Sequence, residues 1–145
     1  MDDLVQFLRD RLDEDEQTAA RAAGISSDTP ASPRWYALLE SVKRGWELFT
    51  DQRRLVASPL NEFDARHAAR HDPARVLAEV DARRQIVDLH GPLHVQGDPI
   101  TGCTTCSWRD EMDDLHVEWP CPTLRLLGVP DADHPDYREE WRPNA

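Results

Sequence analysis

The sequence predicts an α+β fold, mainly helical, with long N-terminal and central helices, a small antiparallel sheet and a zinc-stabilised C-terminal lobe. Three observations carry that reading. Two long stretches place apolar residues at helical spacing between capping signals. The segment from Arg34 to Ala57 holds short aromatic and branched runs around Asp51-Gln52, which suits strands and a turn. Three cysteines crowd together as Cys103-x2-Cys106-x14-Cys121, with histidines on both sides.

A chain of 145 residues falls within the usual length of one domain, so residues 1–145 are expected to fold as a single domain. The balance of 28 acidic against 17 basic side chains gives a formal net charge of −11. Such a charge opposes phosphate backbones and anionic membranes, because counterion release needs a basic surface. It suits solubility, or a basic protein partner. No apolar run approaches the roughly 20 residues needed to span a bilayer. Met1-Asp2-Asp3 is acidic where a signal peptide is basic, and no apolar h-region follows, so the expected location is cytoplasmic. An odd cysteine count in a reducing compartment argues against a disulfide framework.

The first helix is expected from Asp2 to Ala23. Asp2 and Asp3 suit the positive end of its dipole, and Gly24 can close it in the left-handed conformation. Leu4, Val5, Phe7, Leu8 and Leu12 form its apolar stripe; Asp13-Glu14-Asp15-Glu16 reads as a solvated face. Gly, Ser, Asp, Thr and Pro mark residues 24–33 as a linker. Trp35, Tyr36, Leu38, Leu39 and Val42 could line a helix, but Trp46, Leu48, Phe49, Leu55 and Val56 suit strands. Residues 34–57 are therefore expected to form the sheet and residues 58–90 a pair of helices. Ser58-Pro59 offers one N-cap and N1 pair, with a short helix to about Arg70, and Asp72-Pro73 offers another. Val76, Leu77, Val80, Ile86 and Val87 supply the apolar contacts of the second, and Gly91-Pro92 ends it. Residues 91–130 then read as the zinc lobe, with a short helix opened by Cys121-Pro122, and residues 131–145 as a polar tail carrying Tyr137 and Trp141.

Thiolate and imidazole bind zinc, usually as four ligands in a tetrahedral array at structural sites. Two cysteines three apart put both sulfurs on one turn, so Cys103 and Cys106 can share an ion, and Cys121 would arrive from the head of the following helix. Thiolate-rich coordination selects zinc over magnesium or calcium. The competing reading is three unremarkable thiols, some buried as small apolar residues. The fourth ligand stays open on these grounds. His90 ends the central helix, His116 completes a C-x2-C-x9-H-x4-C string like an enlarged zinc knuckle, and His94 is a weaker third candidate.

Other constellations are thinner. His67 and His71 share a helix face at i,i+4, but Ala68 stands where an HExxH motif needs Glu, so structural or exposed histidines are the better reading. His116-Val117-Glu118 has the H-x-E form of zinc deaminases. Here, however, the CxxC precedes it, no Pro directly precedes Cys103, and a third Cys would close the ion to water. Asp110, Glu111, Asp113 and Asp114 read as solvated loop charge. No GxSxG, P-loop or dinucleotide fingerprint occurs.

The stretches Met1-Asp2-Asp3-Leu4-Val5, Phe7-Leu8, Arg11-Leu12-Asp13-Glu14-Asp15 and Ala69-Arg70-His71-Asp72-Pro73-Ala74-Arg75-Val76-Leu77 resemble a family of uncharacterised actinobacterial proteins, common in Streptomyces and known as a domain of unknown function. Cys121-Pro122-Thr123-Leu124-Arg125 and Ala132-Asp133-His134-Pro135-Asp136-Tyr137-Arg138-Glu139-Glu140-Trp141 carry the same likeness, so it spans nearly the whole chain. The family's pattern of a long helix ending in His, then CxxC, then Cys at the head of a short helix implies His90 as the fourth ligand. It implies no activity. At Arg34 to Ala57 the chain departs from the shorter Gly-rich and Trp-containing versions that the resemblance would imply. The long-helix opening is also similar to small phage-encoded accessory proteins.

The functional expectation is therefore a zinc-binding accessory or protein-interaction module whose Cys3His site is structural. The partner is expected to be a protein, with Trp108 and Trp119 as candidate contact residues. A zinc-dependent enzyme, deaminase- or hydrolase-like, is the alternative and needs an open coordination position. A nucleic-acid binder would need Arg75, Arg83 and Arg84 to form a local basic stripe against the overall charge. An acidic nucleic-acid mimic would use the charge directly, but the acids are spread evenly through the chain.

Overall fold

The computed structural model describes residues 3–25, 31–94, 102–109 and 114–143. In chain order the elements are α1 (Asp3–Ala23), β1 (Trp35–Ser41), β2 (Gly45–Thr50), β3 (Leu55–Leu60), α2 (Glu62–Arg70), α3 (Pro73–Leu89), β4 (Pro92–Leu93), β5 (Gly102–Cys103), β6 (Trp108–Arg109), β7 (Asp114–Leu115) and α4 (Pro122–Gly128). The architecture is the mainly helical α+β class that the sequence pattern predicts. Contacts divide the chain into two compact units, Glu14–Asp81 and Met1–Asp13 with Ala82–Ala145.

In the unit Glu14–Asp81, the C-terminal half of α1 ends as Gly24 suggests. Gly24 takes a φ of 77°, its N–H donates to the Arg21 carbonyl at 3.1 Å, and the Ile25 N–H reaches Ala20 at 3.0 Å. Those bonds satisfy carbonyls that a helix end leaves open. The sheet that follows is antiparallel, in the order β1-β2-β3, with Tyr36 opposite Phe49 and Leu38 opposite Glu47. Asp51-Gln52 forms the second turn, where Arg53 adopts a φ of 61° and Thr50 accepts its N–H at 2.8 Å. Helix α2 covers one face of the sheet: Ala65 is buried there and the Arg66 guanidinium lies 5.1 Å from the centre of the Trp46 ring.

One boundary differs from expectation. Ser58 and Pro59 do not open a helix; they lie in β3, which carries the sheet on to Leu60. The Ser58 hydroxyl donates to the Glu47 carboxylate across the sheet at 3.0 Å, so it is not available as a cap. Asn61 caps instead, its side-chain oxygen accepting the Asp64 N–H at 2.9 Å. The next helix starts as read: Asp72 accepts the Arg75 N–H at 2.9 Å with Pro73 in the first turn of α3. The other oxygen of Asp72 accepts the Trp35 N–H at 3.2 Å, so this buried carboxylate joins the helix start to the first strand.

In the unit formed by residues 1–13 and 82–145, Leu4, Phe7 and Leu8 of α1 pack with Val87 of α3, Leu124 of α4, Trp141, Cys103 and Cys121 in one buried cluster. Arg84 pairs with Asp13 at 2.5 Å and Arg9 with Asp88 at 3.3 Å along the same two helices. The expected polar tail is not loose over its described part. Trp141 is 6% exposed, and Phe7 meets Tyr137 edge-on at 5.8 Å and Trp141 at 5.2 Å between ring centres. Burying three rings against one another outweighs the segment's polar composition. Arg125 fixes it further by donating to the Glu140 carbonyl at 2.6 Å.

The double role of Asp72 gives a test of the fold. Asp72→Ala leaves two backbone donors without partners and should cost about 1–3 kcal/mol in urea denaturation, whereas Asp72→Asn, which keeps an acceptor, should cost less.

Candidate metal centre

His90, Cys103, Cys106 and Cys121 come together from three separate pieces of chain, and their ligand atoms all lie within 4.8 Å of one another. His90 follows the last turn of α3, its N–H still bonded to the Ile86 carbonyl at 3.2 Å. Cys103 ends β5, which pairs with β4 so that Cys103 stands opposite Pro92. Cys106 follows on the turn, and Cys121 is the N-cap residue of α4, in extended conformation before Pro122. Cys103 and Cys121 are fully buried.

His90 Nδ1 is 3.4 Å from each of the three sulfurs. A ring nitrogen offers a single proton or a single lone pair, directed in the plane of the ring. It therefore cannot hydrogen-bond equally to three sulfurs. One nitrogen equidistant from three sulfurs, with all four atoms within 4.8 Å of one another, suits tetrahedral coordination. With zinc–sulfur bonds of about 2.3 Å and zinc–nitrogen bonds of about 2.0–2.1 Å, the nitrogen–sulfur edge of such a tetrahedron is about 3.6 Å.

Charge points the same way. Burial, together with the neighbouring Cys103 and Cys121 sulfurs, pushes the Cys106 thiol up to about 12. Burial also works against ionisation of Cys103, but the N–H groups of Cys106 and Thr105 and the neighbouring thiols outweigh it and hold Cys103 below the ordinary thiol value. Sulfurs this close cannot all be thiolates unless a cation offsets their repulsion.

The turn is tied to the end of α3 by Thr104 and Thr105, which the sequence reading did not single out, and by Trp119, which it read as a partner contact. The open carbonyls of Leu89, His90 and Gly91 are met by Thr105 Oγ1 at Leu89, by Trp119 Nε1 at His90 at 2.9 Å, and by the Thr104 N–H at Gly91 at 2.9 Å. Those of Leu89 and His90 are carbonyls that a helix C-terminus leaves without intrahelical donors. The signal was present in the run Cys103-Thr104-Thr105-Cys106-Ser107, where three hydroxyls flank the cysteines. Ser107 serves the far side: its hydroxyl donates to the Val117 carbonyl at 3.2 Å and accepts the Val117 N–H at 3.0 Å. Gly102 has no room for a side chain, since a Cβ there would lie 2.8 Å from Ser107 Oγ and 3.2 Å from the Val117 carbonyl.

The remaining candidates fall elsewhere. His116 is exposed beside Gly102, and neither it nor His94 joins the group of four among the described residues. His67 and His71 share a face as their spacing implies, with ring centres 4.6 Å apart, both exposed. Trp119 is turned inward to His90, while Trp108 is half exposed. Asp110, Glu111 and Asp113 lie outside the described residues. No helix among the described residues is long and apolar enough to cross a membrane.

Fold and site together define a small α+β chain with a Cys3His cluster able to hold a metal ion. Over residues 1–143 it matches a family of unknown function, DUF6221, and the chain belongs to that family. No curated protein and no solved structure matches it.

Two glycines beside the site separate packing from backbone freedom. Gly102→Ala should lower the melting temperature and weaken metal binding, because Ser107 and the Val117 carbonyl must shift. Gly91→Ala meets only Thr104 Oγ1, at 3.7 Å, and should leave both nearly unchanged.

Proposed function

We propose that this chain is a zinc-stabilised accessory module that acts through protein contacts, its ion held by His90, Cys103, Cys106 and Cys121. The observation that carries the metal reading is the equal 3.4 Å separation of His90 Nδ1 from three sulfurs. Zinc is the metal of choice for three thiolates and one imidazole in a tetrahedral array, and free thiols persist in a reducing cytoplasm. Four protein donors fill the coordination sphere and leave no position for water, which favours a structural ion over a catalytic one. The H-x-E stretch gives no support to deaminase chemistry, since His116 stands outside the donor group.

Protein contact is favoured over nucleic acid by charge. The net charge is −11, and two members of the possible basic stripe are already paired, Arg75 with Glu79 at 2.6 Å and Arg84 with Asp13 at 2.5 Å. Zinc would join the end of α3, the cysteine turn and the start of α4, so its binding free energy becomes part of the folding free energy of that unit.

Native mass spectrometry and elemental analysis test the assignment. Wild type and His116→Ala should each carry one zinc per chain, whereas His90→Ala and Cys106→Ser should lose it and melt at lower temperature. Zinc affinity should rise with pH, because binding expels the proton of a Cys106 thiol held at about 12. A wild-type chain that takes up no zinc when refolded with it, or loss of zinc in His116→Ala with retention in His90→Ala, would overturn the reading.

A further inference from the structure

Strand β1 is an edge of the three-stranded sheet, paired with no strand but β2 among the described residues. The Asp51 N–H donates to the Arg34 carbonyl at 2.9 Å, so even-numbered residues of β1 direct their backbone groups to β2 and odd-numbered ones direct theirs outward. Two of the outward groups are closed: the Trp35 N–H by Asp72, and the Pro33 carbonyl by the Ala74 N–H at 3.0 Å. The N–H and C=O of Ala37 and Leu39 have no partner among the described residues. The opposite edge is protected differently, since β3 contains Pro59 and two irregularities of register. Strand β1 has no proline, its one register shift lies at its end between Leu39 and Ser41, and Tyr36, Leu38 and Leu39 on it are 50%, 47% and 53% exposed.

Beside this open edge lies a cavity of about 550 Å³ lined by Ala37 of β1 with Arg66, His67, Ala69, Arg70 and His71. Every polar side chain in that lining is basic, in a chain with 28 acidic and 17 basic residues. Arg66 is engaged with Glu62 at 2.8 Å and with Trp46. Arg70 has no partner among the described residues, and the stacked imidazoles of His67 and His71 stand next to it. Basic residues in a last helical turn complement the helix dipole, but that role requires neither a cavity nor an unpaired strand next to it.

We propose that β1 and this cavity form a docking site for an extended acidic segment of a partner protein, which adds to the sheet as a fourth strand and directs carboxylates to Arg70, His67 and His71. Outward groups of Ala37 and Leu39 supply the backbone pairing, and the closed groups at Trp35 and Pro33 set where it begins. Side chains of an added strand alternate between faces, so every second residue faces the α2 side. A second copy of the chain fits less well: on that side β1 presents Trp35, Ala37 and Leu39, none of which brings a carboxylate to the cavity. The overall negative charge does not prevent the encounter, because screening over about 8 Å at physiological salt leaves the local cavity to decide. This inference deepens the protein-contact reading and rests on it, but it uses none of the metal-binding residues.

The test is fluorescence anisotropy on the full, zinc-replete chain in about 0.15 M salt, with a labelled seven-residue peptide alternating glutamate and valine as probe. Saturable binding is expected. It should weaken about tenfold or more when glutamine replaces glutamate in the peptide, or in Arg70→Glu, and be lost when alternate peptide amides are N-methylated. Arg44→Glu, in the turn after β1, should bind as wild type, and the melting curve and zinc content of Arg70→Glu should be unchanged. Three results would overturn the proposal: no binding by wild type, equal binding of the glutamine or N-methylated peptides, or a dimer that forms through β1 and excludes the peptide. Failure of the peptide with one zinc still bound would remove the docking site and leave the metal assignment standing.

Discussion

Three sulfur atoms and one imidazole nitrogen share a space the size of a single coordinated ion, and much of the smaller structure around them depends on that meeting. Strands β4, β5, β6 and β7 are two residues each, too short to hold a register by their own hydrogen bonds. One of them, β5, carries a residue of the cluster, and the others lie close to it in the chain. Cys103 ends β5, Cys121 caps α4 and His90 follows α3, so these three elements bring their donor atoms within 4.8 Å of one another. Without an ion the thiols ionise unequally, Cys103 held below the ordinary thiol value and Cys106 pushed up to about 12. With one, repulsion among the sulfurs becomes attraction to a shared cation.

Supporting groups show how the site is kept in place. The Thr104 and Thr105 hydroxyls and the Trp119 indole all donate to carbonyls at the end of α3, which holds the imidazole in line with the cysteine turn. Outer contacts of this kind orient ligands and exclude water around a metal. The unit containing the sheet relies on ordinary means instead. A packed helix face, two caps at Asn61 and Asp72, and a cation–π contact between Arg66 and Trp46 hold it.

Much of this was legible in the residues, for reasons that differ by element. Helix α3 was clear because Asp72-Pro73 and Gly91-Pro92 bracket an apolar repeat, and such signals act locally. The cysteine grouping was clear because ligand spacing on one turn is also a local property. Ser58-Pro59 misled because its reading as a cap ignored Glu47, a cross-strand partner eleven residues away. His90 and His116 could not be separated from spacing alone, since the choice depends on which histidine the β4–β5 pairing brings beside the turn. The packing of Trp141 on Phe7 was hidden for the same reason: the two rings are far apart in sequence, and polar neighbours mask the aromatic pattern. The basic cavity beside β1 was likewise invisible, because a helix and a strand build it together.

X-ray absorption at the zinc edge of the purified protein addresses the central claim most directly. About three sulfur scatterers at about 2.3 Å and one nitrogen at about 2.0–2.1 Å are expected, with the nitrogen shell changed in His90→Ala. A shell dominated by nitrogen and oxygen, or one unaffected by loss of His90, would contradict it.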